Sequence, residues 1–272
     1  MDALVRGKSN SWILFGFLLV FGAALPALSP GQSTEAAETL YGNIERDDSM
    51  TTDTATVVRF TGATDSQGFP AAAAWELTPA IRFDADWQGK NPDALRETEV
   101  RLLWTPEMLY LRFRARYRAI TVYPNCEANG RRDHLWDRDV AEAFLQPDSS
   151  ELRRYKEFEI SPNGCWIDLD IAAGEKRDLQ SGLKRRVQID ENKKLWAAEL
   201  SIPMKSLVER FDSAATWKVN FYRVEGGAEP RFYSAWRPTH TPEPNFHVPE
   251  AFGQMIFIES PASRTPKNAA LH

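Results

Sequence analysis

The sequence predicts an all-β fold, an antiparallel β-sandwich of immunoglobulin-like or jelly-roll type with one short helix. Apolar residues recur with period two over many short runs, turn-forming residues separate those runs, and no strand–helix alternation of the kind that builds a parallel sheet is present. The first run is Val57–Phe60. Next, Val100, Leu102 and Trp104 share one parity; after the turn Thr105-Pro-Glu-Met, Leu109, Leu111, Phe113 and Ala115 alternate with Tyr110, Arg112, Arg114 and Arg116. Two such runs joined by a short Pro-containing turn are a hairpin signature, with the apolar parity facing a core. Further strands are expected at Val140–Leu145, Tyr155–Ser161, Trp166–Ile171, Val187–Asp190, Leu195–Ile202, Trp217–Glu225, Arg231–Trp236 and Gly253–Ile258. Ser161-Pro-Asn-Gly164 and Asp190-Glu-Asn-Lys193 read as turns. The helix is expected over Pro203–Phe211, with Pro in its first turn and Leu207, Val208 and Phe211 on one face.

At the start of the chain, Arg6 and Lys8 precede the apolar run Trp12–Leu25, and no further charge appears before Glu35. A basic start, an apolar stretch and small residues after it match a secretory signal. The run falls short of the roughly 20 apolar residues that a membrane span needs. Residues 1–31 are therefore expected to be a signal peptide or N-terminal anchor, 32–54 a flexible linker, 55–259 the sandwich and 260–272 a disordered tail. The folded part is expected to be secreted or periplasmic, meeting a membrane only if the start is retained. Cys126 and Cys165 are the two cysteines of the chain. An oxidising compartment would let them join; two separate buried thiols are the alternative.

A formal net charge of -5 argues against nucleic acid as the partner, because neutralising phosphates needs a basic surface. No Gly-x-Ser-x-Gly elbow and no His-Glu-x-x-His motif occurs, and no enzyme is expected. Glu157, Glu159, Asp168 and Asp170 supply carboxylates at period two, a spacing that normally marks a solvated face. Nothing in the pattern calls for an oligomer, and a monomer is expected.

Four segments carry a resemblance. Thr98–Phe113 is similar to a "vrllWdde-LYv-f" hairpin. His134–Phe144 contains Trp136, Asp139, Glu142 and Phe144 in the pattern W-x-x-D-x-x-E-x-F. Leu195–Pro203 is similar to a "w-x-aE-aiP" strand. Trp217 to Gly253 is similar to an ending with Trp, Asn, Trp and P-x-x-F-G. In this order they resemble the family 9 carbohydrate-binding modules and their wider, DOMON-like group. The resemblance implies a sandwich that stacks a glycan, a plant-type polysaccharide or oligosaccharide, between two aromatic side chains. Trp136 and Phe246 match those positions, and Glu142 matches a carboxylate that bonds sugar hydroxyls. Asp139, in the same motif, and His247, beside Phe246, complete the candidate set. Two departures stand out: Phe246 replaces a Trp of the xylanase-attached members, and Glu159 falls about where they carry Arg.

Trp136 lies within a strongly charged loop, which favours exposure over burial in a core. Trp104 and Trp236 are expected in the core, Trp75 beneath the sandwich and Trp87 at a rim. No cofactor is expected beyond structural calcium, for which Asp47-Asp48, Asp84 with Asp86, and Asp133 with Asp137 and Asp139 are candidates. Two alternatives stay open. One is a haem-binding electron-transfer domain with an axial Met among Met108, Met204 and Met255 and a His among His134, His240 and His247; the other is a glycoside hydrolase accessory or weak hydrolase.

Overall fold

The structure is a computed structural model that describes residues 53–260. The expected signal at 1–31, nearly all of the expected linker and the tail beyond residue 260 lie outside the described residues, as does the Asp47-Asp48 pair.

Thirteen strands form one sheet. They are β1 (Thr54–Arg59), β2 (Ile81–Phe83), β3 (Thr98–Trp104), β4 (Met108–Arg116), β5 (Val140–Gln146), β6 (Arg154–Ile160), β7 (Trp166–Ala172), β8 (Glu175–Asp178), β9 (Lys184–Asp190), β10 (Leu195–Pro203), β11 (Trp217–Glu225), β12 (Phe232–Ala235) and β13 (Gly253–Ile258). The order is β8-β7-β6-β5-β11-β13-β1-β3-β4-β10-β9, with β12 beside β11 and β2 beside β3. Pairing is antiparallel except at β1, which runs parallel to both β13 and β3. The sheet curls so that β3, β4 and β10 lie over β5, β6 and β11. The ring centroids of Phe113 on β4 and Phe221 on β11 are 6.3 Å apart.

Side-chain alternation builds the core. Leu111, Phe113, Ala143, Leu145, Phe158, Leu200, Val219 and Phe221 belong to one buried cluster between the two halves of the sheet. Truncating a fully buried Phe such as Phe113 to Ala would cost about 3–5 kcal/mol. Trp104 and Trp236 sit in that core, and Trp75 is fully buried in a separate cluster with Val58, Leu103 and Tyr110. The strands β5, β6, β7 and β11 are covered on their other face as well, by Leu135, Phe246, Phe252 and the loops that carry them.

Two strands were not legible beforehand, β2 and β8. The second, Glu-Lys-Arg-Asp, is an edge strand with every residue exposed, so no apolar period marks it. The expected helix over Pro203–Phe211 contracts to one 3-10 turn, Met204–Ser206. Pro203 stays paired in β10 opposite Met108, and the Ser206 hydroxyl bonds back to the Pro203 carbonyl at 2.6 Å. Few residues remain to offset the cost of helix nucleation. Val208 and Phe211 still pack on the core, so the apolar spacing serves burial here without a helical backbone.

Candidate functional site

On β5 the alternation sends Ala141, Ala143 and Leu145 inward and Val140, Glu142 and Phe144 to the outer face. The register then lines up neighbours. Glu142 stands between Tyr222 of β11 and Glu159 of β6, and Phe144 between Asn220 and Glu157. Three carboxylates thus converge. Glu142, Glu157 and Glu159 are 2%, 2% and 1% exposed, and one oxygen from each lies within 4.8 Å of the others. Oε1 of Glu142, Oε2 of Glu157 and both oxygens of Glu159 are buried without a hydrogen-bond partner. Burial first, and the neighbouring carboxylates second, hold Glu142 and Glu159 well above the usual carboxylate range.

These three side chains line a cavity of about 260 Å³ whose other walls include Trp136, Phe144, Lys176, Arg231, Tyr233, Phe246 and His247. Trp136 arrives on the 3-10 turn Leu135–Asp137, which buries Leu135 and leaves Trp136 half-buried. Its carbonyl accepts from Nη1 of Arg231 at 2.9 Å, and Nζ of Lys176 stands 4.1 Å from its ring centroid. A disulfide between Cys126 and Cys165, with Cα atoms 5.9 Å apart, ties the preceding segment to the start of β7. Asn163 adds a bond to the Tyr123 carbonyl at 2.8 Å. The turn beneath it is the expected Ser161–Gly164, where Gly164 takes φ +84°, a left-handed conformation that favours glycine.

The opposite loop is anchored through Tyr222. Its hydroxyl donates to the Phe246 carbonyl at 3.0 Å, and its ring stacks on that of Phe246 with centroids 4.2 Å apart and planes 11° from parallel. One face of Phe246 is therefore already taken, and the residue is only 9% exposed. His247 keeps an open surface while its Nδ1 lies 2.7 Å from the Tyr155 hydroxyl. The protein packed around the ring lowers its pKa. Flat aromatic surface beside clustered oxygen acceptors is suited to a small polyhydroxyl ligand, whose C–H faces pack on rings and whose hydroxyls donate to carboxylates.

The sequence model of carbohydrate-binding family 9 matches residues 95–257, more than half of the chain. This chain belongs to carbohydrate-binding family 9. The fold of the family 9 chain is similar to that of a Bacteroides uniformis protein assigned as carbohydrate-binding, with a TM-score of 0.60 and 19% identity over 75% of this chain and 99% of the other. It is also similar to a family 9 module of Caldicellulosiruptor kristjanssonii solved with cellotriose, with a TM-score of 0.51 and 12% identity over 80% of this chain and 98% of that one. The same kind of module solved with glucose gives a TM-score of 0.52, again at 12% identity, over 78% of this chain and all of that one. Among curated proteins, an "Extracellular protein" of Arthroderma benhamiae is 22% identical over 196 residues, covering 65% of this chain and 85% of its own length.

Of the family 9 chain's expected site residues, Trp136, Glu142, Phe246 and His247 line one cavity and Asp139 does not. Asp139 is fully buried, accepts from the Gly226 backbone N–H at 2.6 Å and lies 3.8 Å from Nη2 of Arg223. Its position in the motif follows from strand entry; it pins β5 to the end of β11. Glu157 and Glu159, expected on a solvated face, are buried, because loops cover the outer side of β6. Asp168 is buried too and accepts from the Ser181 backbone N–H at 2.8 Å. Of the aspartates expected to hold calcium, Asp86 accepts from the N–H groups of Gln88 and Lys90 and from Asn91. Among the described residues, the group whose oxygens converge is the glutamate trio. Met204 and Met255 are in the inner core and His247 is on the far side of the sheet, so they do not converge as an axial pair.

Lys176, Tyr222, Arg231 and Tyr233 were missed. Lys176 sits on the unpatterned edge strand β8. Arg231 and Tyr233 follow a turn that folds back over β11. Only Tyr222 carried a local signal, an aromatic on the same parity as Val224 in an evident strand.

Proposed function

We propose that this chain is an exported, non-catalytic carbohydrate-binding module that holds a glucan-type oligosaccharide or chain end against Trp136. The carrying observation is the cavity in which the half-buried indole of Trp136 shares walls with Phe246, Tyr233 and the carboxylate of Glu142. A pyranose fits the volume, its C–H face can lie on the indole, and its hydroxyls find acceptors on the floor. Phe246 contributes a wall more than a full stacking face, because Tyr222 already covers one side of it. The family 9 modules solved with cellotriose and with glucose support the glucan class. Glu159 in place of the Arg of the xylanase-attached members supports a ligand contact different from theirs. Export is supported by the basic-then-apolar start of the sequence, the Cys126–Cys165 bridge and the extracellular relative.

The test is titration calorimetry of the folded protein with cello-oligosaccharides and a glycan array, alongside Trp136→Ala. The variant should bind at least about tenfold more weakly, as expected for loss of a central aromatic anchor, while its circular dichroism stays unchanged. Equal binding by variant and parent would sink the site, and release of new reducing ends from bound glycans would sink the non-catalytic reading.

A further inference from the structure

We propose that Glu142, Glu157 and Glu159 together bind a divalent cation of the calcium class at the floor of the cavity, with coordination positions left open toward the Trp136 wall. The argument begins with an exception. The other buried acids among the described residues each have a donor: Asp86 its loop amides, Glu99 the guanidinium of Arg101, Asp139 the Gly226 N–H, Asp168 the Ser181 N–H and Glu225 the guanidinium of Arg96. These three form no ion pair among the described residues, although four of their oxygens are buried and unbonded. A buried carboxylate without a partner is costly, and three facing one another multiply that cost.

The cations close by are engaged elsewhere. Lys176 stands over the ring of Trp136 at 4.1 Å, and Arg231 is held by Glu229 at 2.9 Å and by the Trp136 carbonyl. Both line the cavity and their charges reach Glu142, but neither forms an ion pair with any of the three glutamates, and the proton affinity of Glu142 and Glu159 stays raised.

The geometry suits one class of ion. Donors on opposite sides of a calcium ion are separated by about 4.6–5.2 Å, twice a typical Ca–O distance. The three carboxylate oxygens all lie within 4.8 Å of one another, close enough for one ion of that size to touch all three. The donor set is all oxygen, which favours hard cations over zinc or copper. The trio comes from two adjacent strands, β5 and β6, with Glu142 directly opposite Glu159, so it is preorganised by the sheet rather than by a flexible loop. Where the carbohydrate reading also holds, a pair of vicinal sugar hydroxyls could complete the open side of the ion; the cation site itself does not depend on that reading.

The test uses the full chain, stripped with EDTA. CaCl2 is titrated by calorimetry without sugar, and Tb3+ luminescence is excited through the neighbouring indole. The expected result is one site at or below about 1 mM, the range of extracellular calcium modules, with a calcium-dependent rise in Tm. Glu159→Gln and Glu142→Gln should each weaken binding at least tenfold and abolish the Tm rise. Without calcium, Glu159→Gln should melt at or above the parent's temperature, which separates loss of the site from loss of the fold. No calcium binding by the parent up to about 10 mM overturns the proposal, as does unchanged binding in both variants. A glycan array run with calcium and with EDTA completes the set. Calcium binding without any glycan binding upholds the ion and rejects the sugar; equal glycan binding in EDTA by a parent that binds no calcium does the reverse.

Discussion

On the half-sheet made of β3, β4, β10 and β9, Glu99 stands opposite Arg114, and Glu199 stands between Arg112 and Arg186. On the half made of β11, β5 and β6, Glu142 stands opposite Glu159, with Glu157 two residues along on the same face. Both sets lie on outward faces that loops or neighbouring side chains cover. In the first, charges alternate across strands, as cross-strand pairing favours. Burial raises the pKa of Glu99, but its bond to Arg101 and the charges of Arg101, Arg82 and Arg114 outweigh that and leave it lowered. At Glu199 burial still wins over Arg186. In the second set like charges face each other and both Glu142 and Glu159 are raised. The same fold thus solves burial of charge by pairing on one side and leaves it unsolved on the other. The unsolved side is the one with a cavity and a half-buried tryptophan, and perturbed acids in a concavity are a general mark of a binding site.

Substitutions on each side put this contrast to the test. The largest effect should come from the bridge that holds the loop over the carboxylate side. Replacing Cys126 and Cys165 by Ser should cost roughly 4 kcal/mol in urea denaturation, from loop-closure entropy over a separation of 39 residues. Next, Glu99→Ala strips the paired side of its central acid and should cost about 2 kcal/mol, since nearly buried Arg101 loses its closest carboxylate and keeps Glu76 and the carbonyls of Trp75 and Thr78. Glu159→Gln on the unpaired side should have the opposite sign, stabilising the calcium-free protein by about 1 kcal/mol, because it removes one of the mutually repelling carboxylates. If both variants destabilise alike, the contrast between the two sides fails.

Opposite signs should also appear with pH. Glu142 and Glu159 bind protons more tightly folded than unfolded, so their contribution is complete below the ordinary carboxylate pKa. It is lost as pH rises through their raised folded values. Glu99 contributes above the ordinary value and loses its contribution as pH falls through its lowered one. Calcium-free Tm against pH in Glu159→Gln should fall less toward neutral pH than in the parent, and in Glu99→Ala it should fall less toward acid. The smallest effect belongs to Lys176→Ala, about 0.5 kcal/mol for an exposed cation–π contact.

Much of the site was legible because the motif around β5 is local. Trp136, Glu142 and Phe144 lie within one turn and one strand, and Phe246 and His247 follow each other in a single loop. Asp139 lies in the same motif but outside that cavity, because proximity in a motif does not say on which side of a turn a side chain emerges. Lys176 gave no sign, since an exposed edge strand needs no apolar period. Glu157 was visible as a carboxylate but read as solvated, because period two reveals a face and not what covers it.

Alternation and turn chemistry act between near neighbours, so the amino-acid order alone specifies most of the strands, their inward parity and the aromatic and acidic residues offered to a ligand. The folded chain was needed to place β11 beside β5, to bring the three glutamates together and to leave them almost covered at the floor of a cavity. The first depends on packing between segments far apart in the chain, and the second on the register of the β5–β6 hairpin, which alternation alone does not fix. No local pattern encodes the distance between side chains that a crossover brings together.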